Sequence, residues 1–419
     1  MAAPGNTAYY SADYADRSVA ALPDGGWVVT TYTAISAQEY VSLTRFDANG
    51  NVVGTPVAVN PVVFGSFGRF SNVTAHANGD VLVTWSGALP GSGANDTDIL
   101  AQRYSGVTLA PIGSTFMVNP SMLNEQDGSS VTALVNGGYV VAWHDPVQGV
   151  LAQRFDASDN KVGTQISLSA ANSNKLQDPS ISALANGGFV ATWSTNQFAD
   201  PTAVYARVFD ATGTAIGGDI TVATGPTLKV SVVNPTVSSL PDGGFFVTWD
   251  DRSNTSAYKL YGQRFNATGS PVSTAFVLNT STYDKEVTNT VLANGDIAVA
   301  WVSALSTQLR VQVFTVDGTK VGTEQTVYTA TALAQPSLMP LNNGGFVAVF
   351  ADWSNNTNHV AKQIVFGPTG SIINTATTSG TVDSLIGGDG ADTITANGGA
   401  DVIYAGAGND TVIVNADNI

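Results

Sequence analysis

Three consecutive nine-residue blocks near the C-terminus repeat one chemistry in phase: Gly387-Gly-Asp-Gly-Ala-Asp-Thr-Ile-Thr395, Ala396-Asn-Gly-Gly-Ala-Asp-Val-Ile-Tyr404 and Ala405-Gly-Ala-Gly-Asn-Asp-Thr-Val-Ile413. The fourth position is always glycine (Gly390, Gly399, Gly408), the sixth aspartate (Asp392, Asp401, Asp410) and the eighth aliphatic (Ile394, Ile403, Val412). These are the residue types from which a hard-cation site is built. Ca²⁺ takes about six to eight oxygen ligands at about 2.3–2.6 Å, drawn from carboxylates and backbone carbonyls. Glycine-rich turns let carbonyls converge, aspartate supplies the charge, and the aliphatic residue on the short strand after each turn fills an interior. Three copies in phase make chance a negligible explanation.

These residues resemble the calcium-binding repeats of RTX proteins, whose parallel β-roll places two nonapeptides in each coil. The resemblance covers about residues 386–414. It implies that the first and third blocks stack on one side. Asp392 and Asp410, with carbonyls around Gly388, Gly390, Gly406 and Gly408, would then form one complete Ca²⁺ site. Asp401 would face the opposite side, with no partner eighteen residues away within this chain. RTX proteins usually carry more repeats and a C-terminal secretion segment. The resemblance therefore implies either a fragment of a longer protein, the preferred reading, or a short roll completed by packing on a neighbour.

The rest of the chain is organised by a longer repeat. The phrase Leu-x-Asn/Asp-Gly-Gly-aromatic returns seven times, with its Asn or Asp at positions 24, 78, 136, 186, 242, 294 and 343; the copies at 78 and 294 have Asp80 and Asp296 for the second glycine, and six of the seven lead to a tryptophan or phenylalanine. A period of about fifty residues signals an array in which one supersecondary unit cannot bury its own apolar face. Each unit divides into four short β-type runs. In the fourth these are Ile181–Leu184, Gly188–Trp193, Val204–Phe209 and Ile220–Val222, with Asn186-Gly187 as a hairpin signal between the first two. Few segments show helical periodicity. The expectation is an all-β chain: a seven-bladed β-propeller of four-stranded blades over residues 1–375, a linker over 376–385, and a short RTX parallel β-roll over 386–419. A linear stack would need distinctive capping repeats, and the first and last repeats look ordinary. No strand exchange clasping the ring is evident, although Thr7-Ala-Tyr-Tyr10 could add one.

Composition narrows the partners. With 16 basic and 32 acidic residues the net charge is −16, which argues against nucleic acid or an anionic membrane and suits cation binding. There is no cysteine, hence no disulfide and no thiolate metal site. No run of eighteen apolar residues exists to span a membrane, and Met1–Asn6 lacks the basic and apolar regions of a cleavable signal. Phrases such as Leu151-Ala-Gln-Arg-Phe-Asp-Ala157 and Val162-Gly-Thr164 resemble tandem repeats in large calcium-dependent bacterial exoproteins of the type I secretion class. Those include adhesins, surface-layer-like proteins and secreted hydrolases. The resemblance implies a bacterial protein placed outside the cell or on its surface.

Signals of catalysis are thin. There are four glutamates (Glu39, Glu125, Glu286, Glu324) and three histidines (His76, His144, His359), and no metalloprotease, nucleophile-elbow or P-loop motif. The richest loops follow the second run of each repeat: His144-Asp145, Asp250-Asp251-Arg252 and Asp352-Trp353. If they share a face, Asp250, Asp251, Arg252, Asp352 and Trp353 could meet a ligand, and a carboxylate pair could serve glycoside hydrolysis. The plainer reading is solvated aspartates. The tryptophans at 85, 143, 193, 249 and 301 could stack on sugars, but recurrence at one address favours packing between repeats. Arg103, Arg154 and Arg264 recur in the same manner, and His76 stands where other repeats have leucine. The expected function is a secreted, calcium-binding, non-catalytic surface-layer or matrix component or adhesin that self-associates or meets cell-surface polysaccharide. A glycan-binding lectin and a secreted polysaccharide hydrolase are the alternatives.

Overall fold

The computed structural model describes residues 18–35, 38–48, 50–59, 69–87, 97–120, 125–169, 176–195, 202–225, 232–254, 257–303, 306–352, 354, 360–367, 372–374, 384–386, 393–396, 402–404 and 411–414. Seven four-stranded antiparallel sheets, each made of consecutive strands in the order 1-2-3-4, occupy residues 19–58, 69–117, 127–167, 176–224, 232–277, 285–329 and 333–374. The chain is all-β and its sheets are the blades of a seven-bladed propeller.

The recurring glycine explains the first hairpin of every blade. Gly25, Gly79, Gly137, Gly187, Gly243, Gly295 and Gly344 all hold φ between 86° and 89°. Each donates back to the carbonyl three residues earlier, as Gly187 does to Leu184 at 3.0 Å, while Leu184 donates to Gly188 O at 2.9 Å. This is a type I turn closed by a left-handed glycine bulge, so the preceding Asn keeps negative φ. Its side chain instead caps the turn: Asn186 Oδ1 accepts from Gly188 N at 2.9 Å. The aromatic that follows stacks on its cross-strand partner, as Phe189 does on Phe209 at 4.7 Å.

Blades pack face to face. Seven apolar clusters join successive blades, and the last pairs Val19, Trp27 and Val29 of blade one with Met339, Val347 and Val349 of blade seven. The ring is therefore closed by packing between blades one and seven. The repeated tryptophans lie in these seams: Trp143, Trp193 and Trp301 are fully buried, and their indole N–H groups find no acceptor among the described residues. They pack; they do not stack on sugars.

The first strand of each blade lines the axis, where a cavity of about 320 Å³ is walled by residues such as Ser180, Thr236, Ser238 and Asn289. Hydroxyls here satisfy the free edge of the next blade. Thr132 Oγ1 accepts from Ala183 N at 3.2 Å, Ser180 Oγ from Val237 N at 3.3 Å, and Ser182 Oγ from Ser239 N at 3.1 Å. A buried backbone N–H must be paired, which accounts for Ser and Thr at positions that alternate with valine. On the rim, Gly54, Gly113, Gly163, Gly217 and Gly322 take φ of 71–79° in the outermost strands of five blades. Their bulges bend edges that would otherwise be templates for strand addition.

Candidate functional site

The described strands of the C-terminal segment pair in parallel. Thr393–Ala396 runs beside Thr411–Val414 with Thr393 opposite Thr411, and Ser384–Ile386 beside Val402–Tyr404 with Ser384 opposite Val402. Every pairing joins residues eighteen apart, which is two nonapeptides per coil. This is the architecture of a parallel β-roll, with the strands after Asp392 and Asp410 side by side. Gly388, Gly390, Asp392, Asp401, Gly406, Gly408 and Asp410 themselves lie outside the described residues.

Two sequence-based expectations change here. The segment 376–385, expected to be a linker, runs into Ser384–Ile386, a strand of the roll. It belongs to an earlier nonapeptide, residues 378–386, in which Asp383 and Leu385 hold the sixth and eighth positions while Thr381 replaces the glycine. Asp383 stands eighteen residues before Asp401, so Asp401 has a counterpart one coil away. Without its glycine the block departs from the repeat pattern, and the eighteen-residue spacing of Asp383 from Asp401 is the sequence signal that marks it. The strand Thr393–Ala396 also lies beside Ile372–Asn374, the outermost strand of blade seven.

In the propeller, antiparallel order puts the Asn-Gly turns on one face and the connections between second and third strands on the other. The second face carries the loop residues singled out above. Asp352 Oδ1 accepts from Ser354 N at 2.9 Å, Asp251 Oδ1 from Ser253 N at 2.8 Å, and Asp145 Oδ1 from Val147 N and Gln148 N at 2.8 Å each. At the same place in other repeats Thr195 Oγ1 accepts from Ala203 N at 2.8 Å and Ser303 Oγ from Gln308 N at 3.2 Å. The aspartates thus cap turns, a job that a hydroxyl does equally well. Burial pushes the Asp352 carboxyl up, but hydrogen bonds from Ser354 and Tyr328 outweigh it and hold the group below the usual carboxylate range. Trp353 lies outside the described residues.

Asp250 differs in kind. It is fully buried and accepts from Asn234 Nδ2 at 3.0 Å, Arg252 Nη2 at 2.7 Å, Glu286 N at 2.9 Å and Val287 N at 3.1 Å. It seams blade five to blade six. Glu286 Oε2 repeats the move onto blade seven, accepting from Gln335 N at 2.8 Å. Burial works against the Arg252 charge, yet Asp250 and Glu286 outweigh it and push its pKa up. The structure does not bring Asp250 and Asp352 together: they serve blades five and seven in different bonds. Glu286 and Gln335 were not legible as site residues, because nothing in the sequence marks a bulge at the start of a first strand.

The recurring arginines work on the opposite face. Arg103 grips Asp159 of the next blade at 2.6 and 3.2 Å, and Arg154 donates to Thr212 O and Ala211 O at 2.6 Å each. Arg264 pairs with Asp242 of its own blade. Among the described residues no cluster of three metal-ligating side chains exists and no helix is long and apolar enough to cross a membrane.

Residues 377–412 match the RTX calcium-binding nonapeptide repeat in four copies. The protein is a seven-bladed propeller followed by an RTX segment, and Ca²⁺ is the ion such repeats bind. Proteins carrying them are typically secreted. No curated protein matches the chain in sequence. In fold it is similar to the polysaccharide lyase Uly1, at 12% identity over 86% of this chain and 92% of that one, with a TM-score of 0.56. It is also similar to the α-L-arabinofuranosidase Arb93A from Fusarium graminearum, at 11% identity over 71% and 93% of the two chains, with a TM-score of 0.51. A Dyadobacter fermentans protein of unknown function matches at 10% identity over 71% and 93%, with a TM-score of 0.50. At such identities the likeness is one of fold.

Proposed function

We propose that this chain is an extracellular, calcium-dependent, non-catalytic binding protein, serving as an adhesin or as a surface-layer or matrix component. Ca²⁺, scarce in the cytoplasm and abundant outside, folds the roll after export, because a preformed site rarely exists in the unfolded state and binding energy becomes folding energy. The supporting observation in the propeller is the use to which its loop carboxylates are put. Asp145, Asp251 and Asp352 cap turns that Thr195 and Ser303 cap elsewhere, and Asp250 is sealed between blades. None of the four is left as a free acid–base pair. Cell-surface or matrix polysaccharide is the proposed partner class, in keeping with the carbohydrate-directed activities of the lyase and arabinofuranosidase that share the fold.

The test is particle size by light scattering, together with retention on immobilised polysaccharides, in calcium and then in chelator. Calcium-dependent assembly or retention supports the reading. A monomer that binds no polysaccharide in either condition overturns it, and release of reducing or unsaturated sugars would move the assignment to a hydrolase or lyase.

A further inference from the structure

One corner of the loop face, where blade five meets blade six beside the axis, concentrates strained backbone and mixed chemistry. Of the seven described non-glycine residues with positive φ, four gather here: Asn234 (53°), Tyr283 (66°), Glu286 (57°) and Gln335 (55°). Asn234, Glu286 and Gln335 begin first strands in consecutive blades, at the place where blade three has Gly128 at 60°. Their conformation is set by the bulge, and their side chains knit the seams described above. Tyr283 has no such account. It is 40% exposed, a bulky aromatic held in the left-handed region, and its ring meets Tyr258 edge-on at 5.7 Å. Backbone strain of this kind persists where the surroundings over-determine it, and it collects at ligand sites.

The same corner holds Arg252 and Lys285. The Arg252 guanidinium is in electrostatic reach of Asp250, Glu286 and Tyr258, and its Nε is buried with no acceptor among the described residues. Lys285 Nζ pairs with Glu286 Oε1 at 2.8 Å. Buried Asp250 and partly exposed Glu286 offset the charges of Arg252 and Lys285, so the corner carries little net charge next to an aromatic pair. Vicinal hydroxyls, which both donate and accept, match that arrangement better than a net anion does, and the apolar face of a sugar ring suits an exposed tyrosine.

We propose that Tyr283, Tyr258, Arg252, Lys285 and Glu286 form a single subsite for a neutral glycosyl unit of a polysaccharide. This rests on the polysaccharide-binding reading above and sharpens it, since it places the sugar at one asymmetric site of the ring. Tyr283 supplies the stacking face; Arg252 and Glu286 supply a donor and an acceptor for adjacent hydroxyls.

The test uses the calcium-loaded full chain and Tyr283→Asn, with Lys285→Ala as a second variant. Asparagine tolerates the left-handed conformation that tyrosine resists. The variant should therefore unfold at the same or a higher temperature while losing at least tenfold in affinity for xylan or arabinan. Lys285→Ala should weaken the same binding. If the wild type binds these polymers and Tyr283→Asn binds them equally well, the subsite is wrong and the binding reading survives. Binding confined to a uronate polymer such as hyaluronan overturns the neutral-sugar assignment. A wild-type chain that binds no polysaccharide overturns the binding reading, and the subsite falls with it.

Discussion

Gln363 of blade seven accepts the indole N–H of Trp27 of blade one at 2.8 Å, across 336 residues of chain. Both are buried, and Gln363 also donates to Gly50 O at 3.3 Å. The indoles of Trp143, Trp193 and Trp301, in the seams between consecutive blades, have no acceptor among the described residues. The polar bond thus sits at the seam that brings the two ends of the ring together. There a cross-chain contact replaces covalent continuity.

Gln363→Leu should strand the Trp27 N–H in an apolar seam and lower unfolding free energy by about 1–3 kcal/mol, the usual cost of an unmade buried hydrogen bond. Urea unfolding of the propeller checks this. An unchanged midpoint would mean that apolar packing alone holds blades one and seven together.

His76 replaces the leucine found at its address in the other six repeats, and burial holds its pKa below the ordinary 6.5, with nearby Arg103 adding to the effect against Asp159 and Asp80. The unfolded chain therefore takes up a proton at His76 more readily than the folded one. Stability from this group is present above pH 6.5 and is lost as pH falls through that value. His76→Leu should flatten the loss of thermal stability between about pH 7.5 and 5. Melting temperatures of both chains across that range decide it; parallel slopes would remove His76 as a cause.

Asp251→Ser should change stability by less than about 1 kcal/mol, because Ser303 already caps the same turn with its hydroxyl, and Asp352→Ser should cost about 0.5–1.5 kcal/mol, because it also forfeits the hydrogen bond from Tyr328 Oη. Asp250→Ala should cost about 3–5 kcal/mol, since it leaves Arg252 and two amides unmatched in a buried seam. Thermal or urea unfolding of the three variants separates the cases. Similar losses at all three positions would contradict the division into turn caps and seam.

Chelation should unpair residues 384–414 and leave the propeller intact, because the blades are joined by apolar clusters and hydroxyl-to-amide bonds. Hydrogen exchange with and without calcium reads both halves at once. The eighteen-residue register further predicts that Asp383→Ala and Asp401→Ala are coupled in calcium affinity, whereas Asp383→Ala and Asp392→Ala are nearly additive. Calcium titrations of single and double variants measure the coupling, and equal coupling of the two pairs would refute the two-sided arrangement.

The blades were legible because the residues that end strands are chemically demanding. A left-handed Gly187 after Asn186, and a second glycine whose Cβ would lie 2.1 Å from Phe209 O, cannot be exchanged freely. The buried Trp193 and Phe209 follow at fixed distances. The loops were not legible in that way. Aspartate can cap a turn, bridge two blades or bind an ion, and only the partners of Asp251 and Asp250 separate the first two uses. The bulges at Glu286 and Gln335 left no mark at all, since neither residue favours positive φ. In the roll, the block holding Asp383 is inconspicuous because Thr381 stands in place of its glycine, and only the eighteen-residue spacing to Asp401 marks it.

The two halves of the chain respond differently to a change in length. The ring admits a fixed number of blades, so duplicating or deleting one fifty-residue unit reopens the seam between Val19 and Val347. The roll advances by one coil for every eighteen residues, so gain or loss of a whole coil leaves every surviving strand on its own side. A nine-residue change would instead exchange the sides. Tandem duplication can therefore lengthen one end of this molecule by even steps of its short repeat, while the other end is held at a single size.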